Sequence, residues 1–455
     1  MKIKIIGAGL AGSEAALYLS KNPELQIELY EMRPQVQTGA HASGHPGELV
    51  CSNSLGSSAV VGASGLLKEE VAILGSELIP LAFKHRVPSG SALSVDRFGF
   101  CEDIARLIEN TPNISLIREE IKDIPKDCPC IVCTGPLTSE ALCGAVKTFC
   151  GGENFKFYDA IAPIVKAESI NFDIAFRASR WESDESVGDY INCPMDAEQY
   201  ENFYNILINS ERAPLKEFEA KYFEGCMPVE VLASRGIDTL RFGPLKPVGL
   251  FDKRSREDKH KKHQFHAVVQ LRQDDKAAEL YNLVGFQTNL KWGAQKDLIQ
   301  AIPGLENAEV VRFGVMHANT FINSPNVLNK HLQALSDPNV FFAGQITGVE
   351  GYTESIATGL FAAINLERML FKKPLLSLPN TTMLGALLDY ITFREHKNFQ
   401  PTNSNWGIVE RMQFDKKPSK EVKNLALAER SLSYLKNLKN DKIQAQQKEQ
   451  QWQLQ

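Results

Sequence analysis

Two of the nine cysteines lie in sequence settings that could support chemistry. Cys51 lies in a polar loop of small residues, and Cys226 is flanked by glycine and proline in the segment FEGCMP. A cysteine thiolate is strongly nucleophilic at a modest pKa, so one thiol could add to an electrophilic carbon while the second moves a proton. Each could instead be a structural thiol, because a free cysteine commonly behaves as a small apolar residue.

A glycine turn at the start of the chain could bring a cofactor to these thiols. The apolar run Met1–Ile6 leads directly into GAGLAG and a helical pattern, and a second apolar run ends at Glu31. This is the order and spacing of the dinucleotide fingerprint, in which an acidic residue follows the glycines by about 20 positions. The predicted cofactor-binding residues of the turn are Gly7, Ala8, Gly9, Leu10, Ala11 and Gly12.

Each glycine of the turn has a separate predicted task. Gly7 permits the tight turn, Gly9 lets the backbone approach a pyrophosphate, and Gly12 lets the helix pack closely on the strand. The pyrophosphate would lie at the helix N-terminus, where free N–H groups and the helix dipole favour anions. Glu31 would accept hydrogen bonds from ribose hydroxyls and repel a 2′-phosphate, which favours FAD or NAD over NADP. Arg33, two residues later, is included among the predicted cofactor-binding residues.

A second glycine-rich turn near the end of the chain favours FAD. It follows an apolar strand predicted at Val340–Ala343 and precedes a helix predicted at Ile356–Leu370. Its predicted cofactor-binding residues are Gly344, Gln345, Gly348 and Gly351. The sequence contains no second GxGxxG, so we do not expect a separate NAD(P)H-binding domain.

Composition limits the class of protein. The 455 residues are 43% hydrophobic and 23% charged, which is typical of a soluble globular protein. A strand predicted at Met1 leaves no room for a signal peptide, and no apolar run is long enough to span a bilayer. We therefore expect a cytoplasmic protein with free thiols. The net charge of −5 argues against a surface coated with bases for nucleic acid, so RNA contacts would need local basic patches.

The patterns predict an α/β fold, with an FAD-binding Rossmann-type domain built on a parallel sheet and an inserted α+β domain. Residues 1–160 and 306–440 would form the two parts of the first domain, 161–305 the inserted RNA or substrate domain, and 441–455 a polar tail that is frayed over 444–455. Apolar periodicity predicts one helix over 65–82, a helix over 101–108 and a strand over 283–288.

Other candidate residues have plainer alternatives. Cys128, Cys130 and Cys133 could bind zinc, but they lie in an apolar strand whose alternate residues face opposite sides of a sheet, so no metal site is predicted. His41, His45 and His317 could act as bases, although isolated histidines are more often loop or core residues. The charge run DKRSREDKHKKH at 252–263 is either a solvated hairpin tip or an RNA contact.

Taken together, the motifs resemble the folate- and FAD-dependent tRNA (uracil-5-)-methyltransferases. The resemblance rests on GAGLAGSEAA, YEMRP, ELVCSNSLGS, GLLKEE, VDRFGF, TGPLTS, FEGCMPVE, PLKPVGL, AVVQLRQ, VGFQT, IPGLE, HANTFINSP, FFAGQITGVEGYTES and FQPTNSNWG, which keep the family's order over about residues 5–407. The larger glucose-inhibited-division-type flavoproteins share the N-terminal turn.

The resemblance implies methylation of uracil C5 in the tRNA T-loop, with methylenetetrahydrofolate as carbon donor, FADH2 as reductant and NADH or NADPH to regenerate it. It also implies that Cys51 and Cys226 are the two functional cysteines. Addition of a thiolate at C6 would make C5 nucleophilic, and a base would later remove the C5 proton. Cys226 is our candidate nucleophile and Cys51 our candidate for proton transfer, with the opposite assignment open.

Two departures from the family pattern leave the RNA substrate open. Ala318 stands where the family usually has arginine, and the segment before AVVQLRQ is longer and more basic than usual. The same chemistry on ribosomal RNA is one alternative, and a flavin oxidoreductase of a small molecule or a non-catalytic FAD-bearing RNA-binding protein are others. The sequence does not give the oligomeric state or the preferred nicotinamide.

Overall fold

The computed structural model describes residues 1–152, 155–181, 188–214, 227–254, 265–393 and 399–453. Its strands are β1 (Lys2–Ile6), β2 (Gln26–Tyr30), β3 (Ser54–Ser57), β4 (Arg86–Val87), β5 (Ala92–Val95), β6 (Ile114–Ile117), β7 (Cys130–Val132), β8 (Phe155–Ala160), β9 (Ile164–Lys166), β10 (Phe176–Ala178), β11 (Tyr190–Met195), β12 (Ala267–Gln273), β13 (Leu280–Leu283), β14 (Val310–Arg312), β15 (Met316–Phe321) and β16 (Val340–Phe342).

Its helices are α1 (Leu10–Leu19), α2 (Ala63–Leu74), α3 (Leu78–Lys84), α4 (Arg97–Glu109), α5 (Glu140–Cys150), α6 (Ala197–Asn209), α7 (Val229–Ala233), α8 (Thr239–Phe242), α9 (Trp292–Gln300), α10 (Ser324–Val327), α11 (Tyr352–Leu370), α12 (Met383–Thr392) and α13 (Lys420–Gln453). Among the residues described, no helix combines the length and apolar character needed to cross a membrane.

A five-stranded parallel sheet carries the glycine turn. Its strand order is β16-β7-β1-β2-β6, with β1 at the centre between β2 and β7. Ile3, Ile5 and Ile27 are fully buried because helices cover both faces of such a sheet. The predicted α/β class and Rossmann-type parallel sheet are confirmed.

A second, six-stranded sheet is formed largely by the middle of the chain. Its order is β10-β11-β12-β13-β9-β14, and all its pairs are antiparallel. One face packs against α6 and α9 through buried side chains such as Ile191, Val269 and Leu271. Two smaller sheets, β3-β5-β4 and β15-β8, connect the parts of the fold. The predicted domain boundaries stay a prediction.

Some predicted elements are wrong at their ends. The helix predicted over 65–82 is two helices, because Gly75 ends α2 in a left-handed conformation at φ +101°. The buried carboxylate of Glu14 then begins α3 by accepting hydrogen bonds from the N–H groups of Glu77 and Leu78 at 2.9 Å each. A polar side chain from a distant helix therefore decides a boundary that apolar periodicity cannot show.

Four further elements differ from the prediction. The helix predicted over 101–108 begins at Arg97, because the side chain of Asp96 caps it by accepting the N–H of Gly99. The strand predicted over 283–288 ends at Leu283, and α11 begins at Tyr352 rather than Ile356. The tail predicted to be frayed over 444–455 continues as helix to Gln453.

Candidate functional site

A cleft of about 950 Å³ lies beyond the carboxyl ends of the parallel strands. Its walls come from the segments that follow β1, β2, β6, β7 and β16, within the ranges 7–11, 30–33, 119–121, 133–139 and 344–345. Ligands of open parallel sheets bind at this edge, where the connections on neighbouring strands diverge. The glycine turn and the returning segment near the end of the chain therefore share one site.

The glycine turn has the geometry that its sequence predicts. Gly7 has φ +97°, and a Cβ there would lie 2.7 Å from the carbonyl oxygen of Cys133. A Cβ on Gly12 would lie 1.9 Å from the carbonyl oxygen of Gly7, so the first turn of α1 packs directly on the loop before it. At Gly9, which lines the cleft, no atom lies within 4 Å of the corresponding position. That open space at a helix N-terminus is the right place for a phosphate.

Glu31 and Arg33 form a buried ion pair at the edge of the cleft. The Glu31 carboxylate accepts hydrogen bonds from the N–H of Ala8 at 3.2 Å and from the Nε of Arg33 at 2.9 Å. Arg33 also donates to Glu48 at 3.0 Å, and its side chain is 2% exposed. Glu31 therefore ties β2 to the glycine turn through Ala8. Its predicted bond to a ribose stays a prediction.

The returning segment reaches the cleft with two of its four predicted residues. Gly344 and Gln345 line the cleft, and the Gly344 N–H donates to the hydroxyl of Thr358 at 2.9 Å. Gly348 and Gly351 do not line the cleft. Gly348 has φ +85° and lies against Phe399, whereas Gly351 has φ +118° and precedes α11. Their predicted contact with a cofactor stays a prediction, and both have a clear backbone role.

Cys51 lies at the margin of this cleft, on a loop held by hydrogen bonds. Its N–H donates to the hydroxyl of Tyr352 at 2.8 Å, and its carbonyl accepts from Arg97 at 3.4 Å. Tyr352 and the preceding residue Val50 both line the cleft. The Cys51 side chain is half-buried. The structure thus places one of the two predicted catalytic cysteines beside residues that line the cleft, although Cys51 itself does not line it.

A buried ion pair connects the Cys51 loop to the six-stranded sheet. Arg97 donates to both carboxylate oxygens of Asp274, at 3.1 and 3.0 Å, and also to the carbonyl of Leu49. Burial alone would raise the pKa of Asp274, but Arg97 and Asn282 hold it below its ordinary value. The Asn282 amide also donates to Asn53 at 3.3 Å. These contacts fix the position of the Cys51 loop relative to the six-stranded sheet.

Cys226 lies outside the described residues, as do residues 255–263 of the charge run. The described chain resumes at Met227, and the residues after it are firmly held. The Val229 N–H donates to the Gln287 carbonyl at 2.7 Å, and the buried Glu230 carboxylate accepts from Thr288 and Asn289 at 2.9 and 2.8 Å. The described residues that follow Cys226 in the sequence are therefore anchored to the segment 287–289.

The remaining candidates have different surroundings. His41 lines the cleft and its ring contacts the Thr38 hydroxyl, whereas His45 contributes its carbonyl to Arg33. The side chain of His317 is outside the described residues. Cys130 and Cys133 are buried in the core of the parallel sheet, and burial raises the pKa of Cys130 to about 12. Within the described part of the chain, no group of three potential ligands could hold a metal ion.

Several residues of the site were not singled out from the sequence. Tyr352, Arg97 and Asp274 position the Cys51 loop, and the segment 134–139 lines the cleft. Arg97 and Tyr352 lie inside the motifs VDRFGF and GVEGYTES, but nothing in their spacing shows what they contact. Asp274 ends an apolar strand, and a carboxylate at such a position was a usable signal.

Comparisons with known proteins agree with this geometry. The sequence profile of the family described as glucose inhibited division protein A matches residues 2–374. A relative named methylenetetrahydrofolate--tRNA-(uracil-5-)-methyltransferase TrmFO from Desulforamulus reducens is 51% identical over 444 residues, covering 97% of this chain and 98% of the relative. A relative of the same name from Fusobacterium nucleatum is 49% identical over 437 residues, covering 96% of this chain and 98% of the relative.

A solved structure supports the fold. The chain is similar to GidA of Aquifex aeolicus, with a TM-score of 0.67 and 15% sequence identity. The match covers 96% of this chain and 73% of the GidA chain. At that identity the likeness concerns the fold alone.

Proposed function

We infer that this chain, which belongs to the glucose inhibited division protein A family and to the methylenetetrahydrofolate–tRNA-(uracil-5-)-methyltransferase family, methylates C5 of uracil in tRNA. The observation that carries this inference is 51% identity to a relative of that name over nearly the whole of both chains. The T-loop uridine is the proposed target. Methylenetetrahydrofolate is the carbon donor.

The residues of the cleft fit FAD. The open position beside Gly9 and the free N–H groups of α1 would hold the pyrophosphate, and Gly344 and Gln345 would approach the cofactor beside the first turn of α1. Burial of Glu31 next to the turn disfavours the 2′-phosphate of NADP at this position. FAD, when bound and reduced, supplies the hydride that turns a methylene group into a methyl group.

The two cysteines would perform the covalent steps. Uracil C5 is a poor nucleophile until a thiolate adds at C6, and we assign that addition to Cys226. The enolate carbon then attacks the one-carbon unit of the folate. Cys51 would take the C5 proton, since it lies on the cleft margin where the Tyr352 hydroxyl fixes its backbone. Loss of that proton would break the carbon–nitrogen bond to the folate, so that tetrahydrofolate leaves and an exocyclic methylene remains on C5. Addition of a hydride to the methylene would then give the methyl group and expel the Cys226 thiolate from C6. The reverse assignment of the two thiols is distinguished by the experiment below.

The proposal also includes NADH or NADPH as the external reductant and a cytoplasmic location. A nicotinamide would need to meet the flavin only transiently, because the sequence has a single dinucleotide turn of the GxGxxG type. Loss of ribothymidine from tRNA on deletion of the gene, measured by nucleoside analysis, supports the proposed substrate. Loss from ribosomal RNA instead would redirect the assignment, and no loss from either RNA would contradict it.

The roles of the cysteines can be tested with RNA that carries 5-fluorouracil at the target position. The Cys226→Ala variant should form no covalent adduct, whereas the Cys51→Ala variant should form the adduct without turnover. Cys128→Ala is the matched control and should methylate normally, because Cys128 is a half-buried thiol two residues before β7. An adduct in Cys226→Ala and none in Cys51→Ala would reverse the assignment. Normal methylation by both variants would make both thiols structural.

A further inference from the structure

One row of side chains crosses the whole six-stranded sheet on the face opposite its apolar core. Register partners on neighbouring strands place these residues side by side, in the order Ala178, Tyr190, Arg272, Asn282, Ile164 and Arg312. Adjacent strands are about 4.8 Å apart, so the row is about 24 Å long. Arg180 lies two residues beyond Ala178 and donates to Gln270, which neighbours Arg272 on the same face.

Three arginines of this face have only neutral acceptors among the described residues. Arg180 donates to the Val248 carbonyl at 2.7 Å and to Gln270 at 2.9 Å, and Arg272 donates to Asn282 at 3.3 Å. Arg312 donates to the carbonyls of Ala40 and Val50, at 2.7 and 3.2 Å. Within the described ranges no carboxylate lies within 4 Å of any of the three. We call them the arginine row.

The charge of this face is balanced only in part, because Asp274 acts on Arg272 and Arg312, and Glu48 on Arg312, without forming an ion pair with them. Asp274 is engaged by Arg97, and Asp189 accepts the Gly90 N–H. The buried Nε of Arg272 has no hydrogen-bond partner in the part of the chain that the structure describes. A guanidinium held partly away from water without a directly paired anion is costly, and burial lowers the pKa of Arg272 and of Arg312 despite the nearby carboxylates. An anion bound at this face would remove that cost.

The face is turned toward the Cys51 loop. Asn282 of the row contacts Asn53, and Arg312 contacts the carbonyl of Val50, the neighbour of Cys51. At the other end, the Tyr190 hydroxyl donates to the Ser89 carbonyl at 2.9 Å. All three arginines are half-buried, so part of each side chain is accessible to a ligand.

We propose that the arginine row binds phosphates of the RNA strand that delivers the target uridine to Cys51. The proposal rests on the proposed function, because a nucleotide whose base reaches Cys51 brings its own phosphate into the same neighbourhood. The three arginines lie just after β10, on β12 and on β14, so they are about 10 and about 14 Å apart at the usual spacing of strands. The row can therefore follow an extended strand over several phosphates, of which the arginines would contact only some. Arginine suits the task because its planar fork pairs with two phosphate oxygens. These contacts position the strand and do not read its sequence.

The test measures the affinity of FAD-bound protein for a tRNA transcript at several salt concentrations. Arg180→Gln and Arg272→Gln keep hydrogen-bonding groups and remove the charge. Each should lower the affinity about tenfold and reduce the slope of log K against log salt by about 0.7 to 1. Arg106→Gln, on the exposed side of α4 and paired with Asp103, is the control and should leave the slope unchanged. Thermal unfolding and flavin content of each variant show that the fold is intact.

The outcomes separate the proposal from its premise. Wild-type slopes in both variants, in protein that methylates the transcript, would overturn the arginine row and leave the proposed function standing. If the variants keep their RNA affinity and instead lose affinity for polyglutamylated folate, the anion is a folate carboxylate and the proposal is overturned. Failure of the wild-type protein to methylate any tRNA would refute the proposed function itself.

Discussion

Gly9 and Gly12 are three residues apart in one turn, yet the structure predicts that they fail in different ways when they are replaced. Gly12→Ala would put a Cβ 1.9 Å from the carbonyl oxygen of Gly7, and α1 would have to move away from the turn. Overpacking of this kind against backbone costs about 3 kcal/mol of unfolding free energy. The valine side chain of Gly9→Val, by contrast, would extend into the open cleft, and the backbone φ of −69° at Gly9 is one that any residue can adopt. We expect its apoprotein to keep its stability within about 1 kcal/mol.

The effect of Gly9→Val should appear in flavin binding. A valine side chain beside the N-terminus of α1 would exclude the pyrophosphate and remove two charge-assisted hydrogen bonds, each worth about 1.5 kcal/mol or more. The loss of about 3 kcal/mol corresponds to an affinity for FAD at least about 100-fold weaker. The assay titrates apoprotein with FAD and follows its absorbance and fluorescence, with thermal unfolding of the same samples. A Gly9→Val protein that binds FAD as tightly as the wild type would refute the placement of the pyrophosphate.

Three further predictions concern other parts of the molecule. Tyr352→Phe removes the acceptor of the Cys51 N–H, so methyl transfer should slow about tenfold while FAD affinity changes little; an unchanged rate in single-turnover assays would contradict this. Neutralising the bases of the run Lys253–Lys262 should weaken tRNA binding and its salt dependence without affecting reduction of the flavin by NAD(P)H, and unchanged binding would make the run a solvated tip. Burial raises the pKa of Glu70 to about 7, so the unfolding free energy from this group is greatest below about pH 4.5 and falls by up to about 3 kcal/mol as the pH rises through 7. Glu70→Gln should flatten that fall in denaturant titrations at pH 5 and pH 7, and an equally steep fall would contradict the assignment.

The parts of the fold that follow from local sequence were predictable. The dinucleotide turn is a local device, since strand, glycines, helix and acidic residue lie within the first 31 residues, and the structure has each of them in order. The glycines are needed for local reasons as well, because Gly7 and Gly12 contact backbone a few residues away or on the adjoining strand. Residue type and spacing therefore carried most of the information.

The support of Cys51 could not be predicted in the same way. Arg97 and Asp274 are 177 positions apart, and Tyr352 is 301 positions from Cys51. Each lies in a segment whose local pattern is ordinary, so only the tertiary fold shows that they meet. The same holds for Glu14, whose carboxylate begins α3 more than 60 residues away. The apolar periodicity of a sequence does not show where a helix ends when a distant side chain sets that end.

The arginine row lies between these two cases. Arg272 in AVVQLRQ and Asn282 in LYNLV are polar residues inside strands whose other members build an apolar core. The alternation of side chains along a strand places such residues on the second face of the sheet. A partly buried charged residue there indicates that this face is neither part of the apolar core nor ordinary solvent-exposed surface. What alternation cannot give is the register. It aligns Arg272 with Asn282 and, through Ile164, with Arg312, although Ile164 and Arg312 are 148 positions apart in the sequence (312 − 164). The sequence thus contained the residues of the proposed anion-binding face. The pairing of the strands aligned them in one row, and two members of that row, Asn282 and Arg312, contact Asn53 and Val50 in the Cys51 loop.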